Sequence, residues 1–263
     1  IDSVQTLNSE HIASPAGSIN QIRENTQLLV EWAKQTDAPL LISGHVTKDG
    51  TIAGPRVLEH MVDVVLYLEG DSLRSYRFLH STKNRFGSTN DVALLEMRAN
   101  GLKEIDDPSA AFIGERQEGV PGSAVIANLE GTRPILAEVQ ALTSHSAFTP
   151  PRRTTTGIDL GRLAMITAVL SKRLNMHLGN QDIIVNIPGG LKINEPAADL
   201  GMALAITSSL KDAVIDPNTV IIGEVGLNGE IRQVAQLERR IAEAERHGFT
   251  RAIVPKLGGQ DYL

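Results

Sequence analysis

Two cations stand two residues apart in Lys83-Asn84-Arg85-Phe86-Gly87. On an extended strand, residues i and i+2 project to one side, so Lys83 and Arg85 present their charges together. Such a pair suits a triphosphate or a DNA backbone, because arginine grips phosphate through two parallel N–H bonds and lysine adds a point charge. A solvated edge strand would carry the same residues without that role. Asp2 follows an apolar residue and precedes Ser3. In nucleotide-hydrolysing sheets an aspartate so placed holds Mg²⁺ through water, since a hard cation prefers oxygen ligands; capping a turn is the plainer reading. No G-x-x-x-x-G-K-[ST] phosphate loop occurs in the sequence.

Further basic side chains are Arg152 and Arg153 on a proline-rich loop, and Arg162, Lys172 and Arg173 on or beside one helix. Cations on a surface helix ordinarily serve as solvent cover, but a small patch repeated around a ring would make a DNA-binding face. Ser208, Ser209 and Lys211 fall late in a helix and end it, and Asp216-Pro217-Asn218 is a turn.

Composition narrows the field. The 263 residues carry 25 Lys and Arg against 31 Asp and Glu, a formal charge of −6, which excludes DNA binding through global basicity. Aromatics are 3%, too few for an extended base-stacking platform. Cysteine is absent, so the sequence holds neither a disulfide nor a thiolate metal site. No run approaches the roughly 18 apolar residues of a membrane span, and the first residues are not a signal peptide. A soluble, cytoplasmic chain is expected. The start at Ile1-Asp2-Ser3, without methionine, and the end at Gly258-Gly259-Gln260-Asp261-Tyr262-Leu263 suggest truncation at both ends.

The elements that must position these residues read as α/β. Apolar residues near helical spacing predict a helix over 17–36, followed by a strand over 39–43 and a polar, glycine-punctuated loop over 44–56. Strands are predicted over 64–68 and 76–82. The character changes near Asp106-Asp107-Pro108 and again at Gly119-Val120-Pro121-Gly122, which makes 107–122 a linker. Beyond it come a hairpin of 123–129 and 135–142, helices over 158–174, 196–210 and 237–247, and strands over 183–187, 220–225 and 252–254. In 1–106, helix, strand and long strand-end loops in this order point to a mostly parallel sheet.

Taken together, Ile1-Asp2-Ser3-Val4-Gln5-Thr6-Leu7, the 44–56 loop, Val57-Leu58-Glu59-His60, Glu130-Gly131-Thr132-Arg133-Pro134 and above all the Lys83–Gly87 string resemble the RadA (Sms) family of bacterial DNA-repair proteins. The likeness runs through essentially the whole chain. It implies that 1–106 is the C-terminal half of a RecA-like ATPase domain, a partial core with a mostly parallel sheet. Residues 123–263 would then be an α+β Lon-protease-like domain. The family also has a four-cysteine Zn²⁺ finger and a phosphate loop ahead of this region, neither of which is in this sequence.

The resemblance assigns roles. Asp2 falls on the Walker B aspartate, a Mg²⁺-site residue, and ATP or ADP is the implied nucleotide. Lys83 and Arg85 look like the Lys-x-Arg fingers of hexameric helicases related to DnaB, where they act in trans on the neighbouring subunit's nucleotide. The 14–23 and 45–56 loops fall where RecA-like proteins face DNA. Arg23, Lys48 and Arg56 are the phosphate-contact candidates there, with Arg152 and Arg153 in the second domain, and His45 is a sensor candidate. The implied partners are single-stranded and branched DNA, the RecA recombinase and copies of the same chain in a hexameric ring; no membrane is implied.

Lon-type peptidases need a serine activated by a lysine. Aligned on Gly223-Glu224, the serine position falls on Ala197 and the lysine position on Arg240. Alanine has no nucleophilic atom, and arginine does not release its proton at neutral pH. A peptidase and a non-catalytic ring-assembly module stand as the alternatives to a DNA-dependent ATPase that promotes branch migration.

Overall fold

A computed structural model describes residues 1–45, 54–70 and 76–256. The described residues divide into two compact units, one of Ile1–Leu68 with Leu79–Asp91 and one of Glu69–Phe78 with Val92–Leu263.

The first unit opens on a 3-10 turn at Val4–Thr6, followed by α1 (Ile19–Thr36) and α2 (Gly54–Met61). Ser18 caps α1 by accepting the Gln21 N–H, and Asp37 ends it in the left-handed conformation at φ 53°. A short polar residue is among the few that tolerate this conformation at little cost. Residues 39–43, predicted as a strand, are not one here. They are tied to the chain start by three backbone bonds: Ile1 N to Leu41 O, 2.7 Å, Ser43 N to Ile1 O, 2.8 Å, and Val4 N to Ser43 O, 3.0 Å. Too few successive bonds form to make a ladder. Strands β1 (Val64–Glu69) and β2 (Tyr76–Asn84) are sheet neighbours, and β2 carries the chain from the second unit back into the first.

In the second unit β3 (Val92–Arg98) and β4 (Gly101–Glu104) form an antiparallel hairpin. Next comes α3 (Pro108–Ile113), capped by the Asp107 carboxylate on the Ala110 N–H at 3.0 Å. The stretch read as a linker over 107–122 therefore holds a helix, with Pro108, Ser109 and Phe112 buried. Phe112 packs edge-on against Tyr76. The Asp-Pro pair is a helix cap followed by proline at the first helical position, where its missing N–H costs nothing.

The rest runs β5 (Ser123–Glu130), β6 (Arg133–His145), β7 (Arg153–Thr156), α4 (Leu160–Arg173), β8 (Gln181–Asn186), α5 (Asp199–Lys211), β9 (Thr219–Ile221), β10 (Glu224–Val225), β11 (Ile231–Arg232), α6 (Leu237–Arg246) and β12 (Arg251–Ile253). Six strands make a sheet of order β12-β9-β5-β6-β8-β7. Three of its five pairings are parallel and two antiparallel, so the central sheet is mostly parallel and the chain is α/β as expected, although this sheet lies in 123–253 and not in 1–106, where it was expected.

Period-two alternation builds two cores across that sheet. Along β5, Ala124 and Ile126 join α4 and α5 residues such as Leu163, Ile166, Met202 and Ile206. Val125 and Ala127 face the other way, with Leu237, Ala244 and Phe249. Each fully buried Leu or Ile contributes about 1.5–3 kcal/mol. Gly201 sets the approach of α5 to β5, because a Cβ there would lie 2.2 Å from Ile126 Cγ2.

Candidate functional site

Asp2 is exposed, and its carboxylate accepts a short hydrogen bond from the Ser43 hydroxyl. The Gln5 side chain donates to the His45 carbonyl at 3.4 Å, and His45 itself is exposed. The predicted Mg²⁺ residue is thus bonded to Ser43 at one end of the short segment 43–45, and the sensor candidate His45 is its other end. An exposed carboxylate already oriented by a hydroxyl fits a water-mediated Mg²⁺ contact, supplying one oxygen.

Lys83 and Arg85 both turn toward the end of α2. The Lys83 ammonium donates to the Glu59 carbonyl at 2.7 Å. That carbonyl lies in the last turn of α2, where no helical N–H remains for it, and a lysine there also complements the negative end of the helix dipole. Arg85 pairs with the Asp63 carboxylate at 3.0 Å, and its backbone N–H donates to the Asp63 carbonyl at 3.1 Å. Phe86 follows at the tip, 82% exposed, with its N–H held by the Asn84 side chain at 3.0 Å.

Arg23 sits early on α1, exposed. The loop before α1 is organised by Gln21, a residue that sequence reading passed over. Its buried amide nitrogen lies 3.0–3.3 Å from Asn8 Oδ1 and the carbonyls of Ser9, Ile12 and Ser14. Its oxygen accepts from the Ser9 N–H and from Asn25. The available signal was an uncharged polar residue at an inward position of a helix's first turns, next to the apolar Ile22. Lys48 lies outside the described residues, and of Arg56 only the backbone place in α2 is described.

The two arginines of the proline-rich loop separate. Arg152 is exposed, with its guanidinium 3.6 Å from the centre of the Phe148 ring. Arg153 is different: its guanidinium donates to the carbonyls of Arg152, Gln181 and Leu178. Three of its five N–H donors are thereby taken by the fold, which leaves Arg153 less free than Arg152 to meet a phosphate. The residue belongs to β7, whose β-branched run Thr154-Thr155-Thr156 was the overlooked strand signal.

Ala197 is buried in the 3-10 turn Pro196–Ala198 that leads into α5. Arg240, on α6, has a side chain only 1% exposed. Its guanidinium pairs with both Glu195 oxygens at 2.6 and 2.5 Å, and donates to the carbonyls of Ala235 and Ala127. Glu195 also accepts the Leu129 N–H at 2.6 Å. Nearby Glu130 is pushed up from an ordinary 4.5 to about 7, first by burial, against an opposing bond from Asn128, and with the Glu195 and Glu69 charges adding to the rise. A second buried pair joins Arg162 to both Asp199 oxygens at 2.6 and 2.7 Å; burial still holds the Asp199 carboxyl above its usual range. Sequence reading had left Arg162 as a surface cation.

Asp107, Glu243 and His247 bring three possible ligand atoms within 4.8 Å of one another. Arg246 contacts both carboxylates, at 3.5 and 2.9 Å, and the Ser109 hydroxyl donates to Glu243 at 2.5 Å. These partners account for the group as an ion-pair network between α3 and α6. No helix among the described residues is long and apolar enough to cross a membrane.

The fold and these clusters define an α/β chain with a mostly parallel central sheet and a cationic strand end. A family model described as subunit ChlI of Mg-chelatase matches residues 163–257. Over 261 residues, 98% of its length, the chain is 49% identical to a protein named DNA repair protein RadA from Halalkalibacterium halodurans, and covers 57% of it. Proteins of the same name from Synechocystis and Streptococcus pneumoniae are 50% identical over 97% of the chain, which covers 51% and 61% of them. The chain is thus similar to RadA proteins over nearly all of its own length, and it spans 51–61% of the length of these relatives.

Proposed function

We propose that this chain is the finger-bearing and DNA-contacting part of an ATP-driven motor for recombinational DNA repair. The observation that carries the reading is the Lys83–Arg85 pair. Its two cations share one strand end and are held by groups that a phosphate can replace, in a chain about 50% identical to named DNA-repair proteins. Acting in trans, an inserted lysine and arginine stabilise the charge that develops on a transferred phosphoryl group. ATP with Mg²⁺ supplies the phosphoryl chemistry, and Asp2 contributes one oxygen ligand to the metal.

In this reading subunits form a ring, a hexamer by analogy with related helicases, with nucleotide at each boundary. DNA in the channel contacts Arg23, Lys48 and Arg56, and Arg152 adds a contact from the second unit. The motor extends heteroduplex by branch migration alongside the RecA recombinase. The 123–263 region serves as a Lon-like scaffold. Peptidase chemistry is not part of the proposal, because Ala197 offers no nucleophile and Arg240 is an ion-paired cation that cannot act as a base. The Zn²⁺ finger belongs to family regions outside this sequence.

The test is Lys83→Ala and Arg85→Ala, each in a full-length RadA chain carrying these residues. DNA-stimulated ATP turnover should fall roughly 100-fold or more, with circular dichroism and melting unchanged. Wild-type turnover in both variants would remove the fingers from the mechanism.

A further inference from the structure

The contacts of Lys83 and Arg85 within their own protomer carry a second meaning. Both cations are held by one short stretch, the Glu59 carbonyl and Asp63, four residues apart at the end of α2 and the turn beyond it. The Glu59 side chain is fixed in turn, accepting the Tyr67 hydroxyl at 2.8 Å. These partners compete with a phosphate on a neighbouring subunit for the same cations: the carbonyl takes one of the three ammonium donors and turns the lysine inward, and Asp63 takes one nitrogen of the Arg85 fork and part of its charge.

We infer that Asp63 and the Glu59 carbonyl form a berth that holds the Lys83–Arg85 pair on its own protomer and competes with its action in trans. Asp63 is then a positioning residue, acting through Arg85. This rests on the finger reading above. The berth is suited to reversible use, since Arg85 and Asp63 are 58% and 43% exposed, and exposed ion pairs are weak and screened by salt. Vacating it also removes the lysine from the orphan carbonyl of α2. The last turn of α2 is thereby connected, through one hydrogen bond, to a residue proposed to meet nucleotide. Nucleotide held by the neighbour would bias this contact directly, and DNA that raises turnover would act on the same equilibrium, which is the form a coupling between two ligands takes.

The experiment measures ATP turnover with and without single-stranded DNA in a full-length RadA chain carrying Asp63→Asn, Asp63→Glu or Arg85→Ala. Asparagine keeps the shape and removes the charge. It should raise DNA-free turnover about two- to fivefold and shrink the DNA-stimulation ratio by the same factor, and glutamate should restore wild-type behaviour. Raising salt should increase DNA-free turnover of the wild type but not of Asp63→Asn. Unchanged or reduced DNA-free turnover in Asp63→Asn, with Arg85→Ala inactive, overturns the berth and leaves the fingers standing. An active Arg85→Ala overturns the finger reading itself. A structural role for Asp63 would lower turnover with and without DNA alike and would move the melting temperature.

Discussion

The two units are held together by different physics. In the second, alternating β5 and β6 residues feed two apolar cores, and two inward arginines are ion-paired, Arg240 with Glu195 and Arg162 with Asp199. In the first, among the described residues, only Val4 and Ile22 are fully buried apolar side chains, while Leu28, Trp32, Leu66, Leu68 and Phe86 are exposed. Its organisation comes from polar contacts: Gln21 gathering a loop, Asp2 on Ser43, Lys83 on a helix end. Apolar packing has few alternative arrangements, whereas exposed hydrogen bonds and ion pairs exchange partners cheaply. The residues proposed to change partners during turnover sit in the polar unit.

Breaking one contact in each unit tests this contrast. The largest effect is expected from Arg240→Ala, which leaves the Glu195 carboxylate without its cation and opens a hole beside Ala127. Removing one partner of a buried pair costs about 3–5 kcal/mol, read as a lowered denaturation midpoint. Gln21→Ala should cost the first unit about 2–3 kcal/mol, since several oxygens lose a shared donor at about 1 kcal/mol each. Hydrogen exchange should then accelerate at Ser9 and along α1 while α5 keeps its protection.

The smallest effect sharpens the comparison by pH. Glu130 is raised to about 7 in the folded chain, so between its ordinary 4.5 and 7 the folded state binds more protons than the unfolded state. Stability contributed by this group is therefore complete below about 4.5 and is lost as pH rises through about 7. Glu130→Gln should flatten that decline, seen by comparing melting temperatures at pH 5 and pH 8. An equal slope in both proteins would remove Glu130 as its source.

Much of this architecture was legible in the sequence because its signals are local. Ser18 and Asp159 before periodic apolar runs mark the starts of α1 and α4, and each side chain caps its helix. Alternation marks β5 and β6, and the Gly131-Thr132 turn joins them with Glu130 opposite Arg133. Elements that depend on distant partners were not legible. The α3 helix is six residues long and is stabilised by burying Phe112, and β7 pairs only with β8, which follows it by more than twenty residues. The candidate site divides in the same way. The spacing of Lys83 and Arg85 could be read directly, but Asp63 and the Glu59 carbonyl could not, because a carbonyl has no letter in the sequence. Arg153 and Arg162 read as surface cations since nothing near them in sequence reveals the carbonyls and the carboxylate that take their charge.

Gln21 has a consequence for anyone redesigning this region. One amide serves as the template for an entire ribbon, residues 8 to 14, by meeting oxygens at set intervals along it. Lengthening or shortening that ribbon by a single residue throws the intervals out of step, so a graft taken from a relative must bring its own glutamine, or the matching anchor, along with it.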